Sequence, residues 1–301
     1  MPVTCSSYDD ADAAADPAAG DVTNVTDATD VTGDAYDRLA ALFPGLRVVT
    51  AAPRSGAGWV GAGELAAGGG TVDALAALVA EQAVREHGRR PRPHVAATLA
   101  LHRYTWPACL LFTVPWFLQR RVPRLPVDAV SFHRAGGRMT VRPRSFACLP
   151  DDPAAALPGA RVVPDEQALR DALLAALTEH LTPVLDGFRP RLRRGPHAMW
   201  GMVTDEIAEG LWLIGRLAGE ERRAVAELSA LLPGGTTPYA GGAHFRELPA
   251  SGGPGETAAT ASVTRDRLTC CLFYTISPAD ACAACPRTCA AARIGRLVPA
   301  A

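Results

Sequence analysis

The chain predicts an α+β fold that is predominantly helical, with a small antiparallel sheet or hairpin and a cysteine-rich C-terminal segment. Three observations carry this. Several long stretches repeat apolar residues at helical spacing, one short stretch alternates about a glycine pair, and the cysteines crowd between Cys270 and Cys289.

Residues 1–34 are rich in Asp, Ala, Thr and Gly and poor in large apolar side chains. Such a stretch cannot offset its ordering entropy by burial, so a disordered tail is expected. A mainly helical domain over 35–250 follows. "LRVVTAA", from Leu46, is a short strand. "TVDALAALVAEQAVREHG" is a helix, with Val72, Leu75, Leu78 and Val79 on one stripe and Gly88 as its stop. "RPHVAATLALHRYTW" is a second, more buried helix. "AVSFHRAGGRMTVRPR" is a β-hairpin: Val130 and Phe132 alternate on one arm, Met139 and Val141 on the other, with Gly136-Gly137 in the turn. "PDEQALRDALLAALTEHLTPVLDGF" is an amphipathic helix carrying Leu169, Leu173, Leu177, Leu181 and Val184 on one face. Asp165 and Glu166 suit its positive end. "HAMWGMVTDEIAEGLWLIGRL" carries Trp200, Val203, Ile207, Leu211 and Ile214 on one stripe, and "EERRAVAELSALL" restarts a helix after Gly219. Gly-, Pro- and Thr-rich loops end in a linker over 251–262, which leads into a final segment, 263–301.

The 301 residues carry a net charge of −1, which offers no field for nucleic acid. Every basic residue is Arg, so any cationic site is a planar guanidinium fork suited to carboxylates or phosphates. No basic residue precedes Arg38, so a secretory leader is not expected. The most apolar run, "YTWPACLLFTVPWFLQRR", is interrupted by Pro107 and Pro115 and falls short of the ~20 residues a span requires. A cytoplasmic protein is expected, with peripheral contact with the inner membrane left open. In that compartment clustered cysteines are metal or redox groups more often than disulfides.

Two other motifs have plainer readings. "GAGWVGAG" fits G-x-G-x-x-G, but Pro53, Arg54 and Ser55 separate it from the preceding strand, so a flexible loop is expected rather than a nucleotide site. In "FRPRLRRGPH", Arg189, Arg191, Arg193 and Arg194 follow a helix end. The plainer reading is a solvated connection, and the other is a docking patch for an anionic ligand or partner. Among scattered histidines, His180 reads as ordinary packing on the polar flank of its helix. His244, in "GGAHFRE", leads toward the cysteines.

Cys270, Cys271, Cys282 and Cys285 form the pattern Cys-Cys-x10-Cys-x2-Cys, with Cys289 beyond. Adjacent cysteines pair only through a strained ring, and paired zinc knuckles need two C-x2-C steps. A two-iron core spreads its ligands over a larger object than a single ion does. The spacing favours [2Fe–2S] with Cys289 as a spare, and leaves zinc and unligated thiols as alternatives.

"RDRLTCCLFYTISPADACAACP" resembles the C-terminal signature of the FhuF-like ferric-siderophore reductases. That signature joins the same cysteine spacing to an Arg upstream, here Arg265 or Arg267, and an aromatic just after the pair, here Phe273 or Tyr274. The resemblance implies a [2Fe–2S] cofactor held by Cys270, Cys271, Cys282 and Cys285, with His244, Arg267 and Tyr274 as candidates beside the substrate or the ligands. It implies an oxidoreductase that reduces cytoplasmic ferric siderophore, Fe(III) to Fe(II), by one electron. The chain shows no hydride-binding motif, so an external donor, a ferredoxin or a separate reductase, is expected. The alternative is a non-catalytic zinc- or iron–sulfur-stapled binding or sensor protein in iron handling.

Overall fold

The computed structural model describes residues 31–247, 263–279, 282 and 285–287. The expected tail up to residue 30, the linker 251–262 and Cys289 lie outside the described residues. The last residues of the expected tail belong to the fold, since Val31 and Thr32 are buried and α1 (Gly33–Leu42) begins there.

A helical layer forms the body. The central helix is α4 (Pro93–Gln119), flanked by α3 (Gly69–His87), α5 (Glu166–Phe188) and α6 (Pro196–Leu217); α7 (Glu221–Leu231) folds back on α6. The helix expected to stop near Trp106 instead runs on through Pro107 and Pro115. It does so because it is apolar on every side and surrounded by protein, so packing outweighs the lost hydrogen bonds. Leu110, Leu111, Phe112, Trp116 and Phe117 are fully buried, each worth about 1.5–3 kcal/mol for the larger side chains. Pro115 leaves the Leu111 carbonyl without its helical donor, and the buried Tyr36 hydroxyl donates to that oxygen at 2.8 Å. Among the described residues no helix is long and apolar enough to cross a membrane.

The expected hairpin is present as β4 (Val130–His133) and β5 (Arg138–Val141), paired Val130↔Val141 and Phe132↔Met139. The sheet is mixed rather than purely antiparallel: β1 (Arg47–Thr50) joins β5 in parallel, and β2 (Trp59–Gly61) joins β4. "GAGWVGAG", expected as a flexible loop, is instead ordered: it forms a turn, then β2, then the first residues of the short α2 (Ala62–Ala67), because β2 pairs with β4. A second small sheet, β3 (Arg121–Arg124), β6 (Ser145–Cys148) and β7 (Ala160–Val162), had no clear alternation in the sequence. The stripe on α5 is buried as expected, and the Asp165 carboxylate caps it, accepting from the Ala168 N–H at 2.8 Å. His180 departs from its expected polar flank. It is fully buried, held between the Tyr104 hydroxyl and the Leu125 carbonyl, each at 2.7 Å.

Candidate metal centre

The centre is built where α6 meets the last described segment. Along α6 the acids Asp205, Glu206 and Glu209 lie at the i, i+1 and i+4 positions of one helix, and Asp205 and Glu206 are fully buried. Buried charge requires partners, and the C-terminal segment supplies them. β8 (Phe245–Glu247) pairs with β9 (Val263–Arg265), which ends on Arg265. The Arg265 guanidinium is fully buried and donates to Asp205 at 2.7 Å, to Glu209 at 2.9 Å and to the Ala243 carbonyl at 3.2 Å.

Asp205 then aims the next residues. Its carboxylate accepts from the Leu268 N–H at 2.9 Å, the Thr269 N–H at 2.8 Å and the Thr269 hydroxyl at 3.0 Å. The backbone immediately before Cys270 is thus tied to α6. Gly201 permits the approach, since a Cβ there would stand 2.8 Å from the Thr269 methyl. On the other side, Ile276 packs into a small apolar cluster with Ala83 of α3 and Val95 of α4, joined by Leu272 and Phe273. The stretch that carries Cys270 and Cys271 is therefore pinned at both ends.

Between those pins the chain turns sharply. Leu272 sits in the left-handed region at φ 69°, uncommon for a branched side chain, and its N–H donates to Cys270 Sγ at 3.4 Å. Cys270, Cys271 and Cys282 are partly buried and Cys285 is buried. Burial pushes the Cys270 and Cys271 thiols up, while backbone hydrogen bonds from Leu272 and Phe273 pull them down. Cys282 is pushed up to about 12, again mainly by burial. The thiols also act on one another: Cys270 feels Cys271 and Cys285, and Cys282 feels Cys271 and Cys285. These influences link the thiols in pairs, and each thiol must lose a proton to bind metal.

Arg267 completes the surroundings. It is 6% exposed and pairs with Glu209 at 3.0 Å, with Glu206 further off at 3.6 Å. Burial opposes its charge, but the fields of Glu209, Glu206 and Asp205 outweigh that and raise its pKa. Its own charge lowers Cys271 and Cys282. Its buried Nε and Nη2 groups stand 3.9 Å from Asp205 and 3.6 Å from Glu206, in ion-pair range but without a hydrogen bond. Two donors without a hydrogen bond, on a cation whose charge acts on Cys271 and Cys282, fit a group rich in sulfur acceptors and negative charge. A four-thiolate iron–sulfur cluster is such a group.

The structure brings Arg267 to the thiols and Tyr274 to the 3₁₀ turn just after them, under the Arg287 guanidinium at 4.6 Å. The His244 ring accepts from the Gly242 N–H at 3.2 Å on its own loop, and its carbonyl accepts from the Asp266 N–H at 3.4 Å, one residue before Arg267. The sequence reading missed Asp205, Glu206 and Glu209, and His102, whose Nδ1 lies 2.6 Å from Glu206. The signal was present as "TDEIAE" on an otherwise apolar helix, matched in charge by "TRDR" sixty residues on.

The fold brings the cysteine segment against a helical body, although among the described residues no three His, Cys, Asp or Glu side chains are drawn together closely enough to hold a metal ion. Residues 267–287 match the family model described as FhuF 2Fe-2S C-terminal domain. The segment is FhuF-like, its resident cofactor is a [2Fe–2S] cluster, and the four matched cysteines lie inside the matched stretch. A comparison with curated proteins finds no match for the chain.

Proposed function

We propose that this protein is a ferric-siderophore reductase of the cytoplasm, with Cys270, Cys271, Cys282 and Cys285 as ligands. The reading rests above all on the match of residues 267–287 to the FhuF 2Fe-2S model, supported by the buried Arg267, whose charge acts on Cys271 and Cys282 and two of whose N–H groups make no hydrogen bond. When bound, a [2Fe–2S] cluster supplies one electron at a time. The chain's own residues set the conditions. Asp205 and Ile276 hold the loop in place, and Leu272 and Arg267 offer N–H groups and positive charge to sulfur, which favours accepting an electron. The substrate needs little more. Ferric iron is held by hard oxygen donors, and ferrous iron binds them far less well, so one electron releases the metal.

The test is made anaerobically. The purified, loaded protein is reduced, mixed with a ferric siderophore and a ferrous chelator, and followed by visible absorption. Oxidation of the protein with appearance of the ferrous complex is expected. A protein that stays reduced beside intact ferric siderophore would sink the reading. One that instead contains a single zinc and no acid-labile sulfide would leave a binding protein.

A further inference from the structure

An electron that leaves this protein must first reach it, and one surface beside the thiols is built for an anionic visitor. The connection between α3 and α4 and the connection between α5 and α6 meet around the thiol loop. Arg89 donates to the Thr275 carbonyl at 3.2 Å, and Arg194 donates to the Cys270 carbonyl. Arg92 and Arg193 are exposed, with no carboxylate partner among the described residues, and Arg287 is exposed over Tyr274. His94 lies among them: burial first, and then the fields of Arg193, Arg92 and Arg194, lower its pKa. By contrast Arg189 and Arg191, from the same basic run, are engaged by Asp186 and Asp73. The run therefore divides: Arg194 reaches the thiol loop, and Arg193 stands exposed, its field felt at His94. On a chain of net charge −1 this is a local concentration of positive charge, not a general property of the surface.

We propose that Arg89, Arg92, Arg193, Arg194 and Arg287 form a docking collar for an acidic one-electron carrier protein. This rests on the reading of the chain as a one-electron reductase. Two points favour a protein over the ferric chelate itself. Small ligands are bound in concave sites, and none of the five arginines lines either of the two cavities, of about 360 and 410 Å³, beside α5. The arginines instead stand on loops that reach outward from three separate parts of the chain, the form of a polar rim that steers a charged partner. In the transfer one electron leaves the carrier, which is oxidised by one, and arrives at the four-cysteine centre, which is reduced by one. No bond forms or breaks and no proton is required.

Binding of an oxidised acidic [2Fe–2S] ferredoxin to the loaded protein is measured by titration calorimetry, without ferric substrate, across a salt series. The expected result is an affinity that falls steeply with salt and is weakened about tenfold or more in an Arg92→Glu, Arg193→Glu double variant. Arg222→Glu on α7, an exposed arginine away from the collar, should bind as the unaltered protein does. The same variants are then reduced by a methyl viologen radical cation, which should be no slower in the double variant if the centre is intact. Unaltered ferredoxin affinity in the double variant, or salt-independent binding, overturns the proposal. So does a double variant that keeps ferredoxin but loses binding of an anionic ferric tris-catecholate, since the collar would then be a substrate site. The reductase reading fails separately, if the reduced protein leaves ferric siderophore untouched while the collar still binds ferredoxin.

Discussion

Asp205 is the residue on which the loop depends. A fully buried carboxylate accepts from Arg265, from two backbone N–H groups and from one hydroxyl, all within 3.0 Å. Removing one partner of a buried pair leaves the other uncompensated, at a cost of about 3–5 kcal/mol. Asp205→Ala should therefore lower the thermal midpoint sharply and lose cluster loading, read by calorimetry and iron content; normal loading would refute the anchoring role. Arg267→Leu removes a buried positive charge from beside Cys271 and Cys282, so a loaded variant should be harder to reduce. A redox titration showing an unchanged or higher potential would count against that. Serine in place of Cys270, Cys271, Cys282 or Cys285 should abolish or cripple loading, while Cys289→Ser should load normally, as iron and sulfide analysis will show. The cysteine spacing was legible because ligand positions are local in sequence. Asp205 was not, because its meaning depends on Arg265, 60 residues away.

At the scale of the element, periodicity reported the helices well where one face is buried, as on α5 and α6. It failed at α4, where apolar residues on all sides carry no period and two prolines mimic a stop. The rescue of the Leu111 carbonyl by Tyr36 comes from another helix, and no local pattern announces it. The short strands of the second sheet have too few residues to alternate visibly. His180 of α5 yields a pH prediction. Burial lowers its pKa to about 4, from an ordinary value of 6.5. Between those values the unfolded chain binds a proton that the folded one does not, so stability falls as pH drops from 6.5 toward 4. The loss is roughly 3 kcal/mol, from 1.36 kcal/mol per unit. Denaturant unfolding should show this slope, and His180→Gln should flatten it; an equally steep variant would place the effect elsewhere.

At the scale of the molecule, the helical body and the cysteine segment share one ionic core. Asp205, Glu206 and Glu209 belong to the body, while Arg265 and Arg267 belong to the segment. The two parts were expected as separate regions, since composition alone sees a linker between them. A chain ended at residue 262 should then be markedly less stable than the whole, because three acids lose their cations. Circular dichroism melting will decide it: a truncated body that melts where the complete protein does would show the regions to be independent.

The interval between those acids and their arginines also sets an order of events. A ribosome makes Asp205 well before Arg265. Until the later residues emerge, Asp205 and Glu209 lack the arginines that neutralise them in the finished protein. The ionic core is thus completed only in a chain translated through Arg267, three residues before the first of the clustered cysteines.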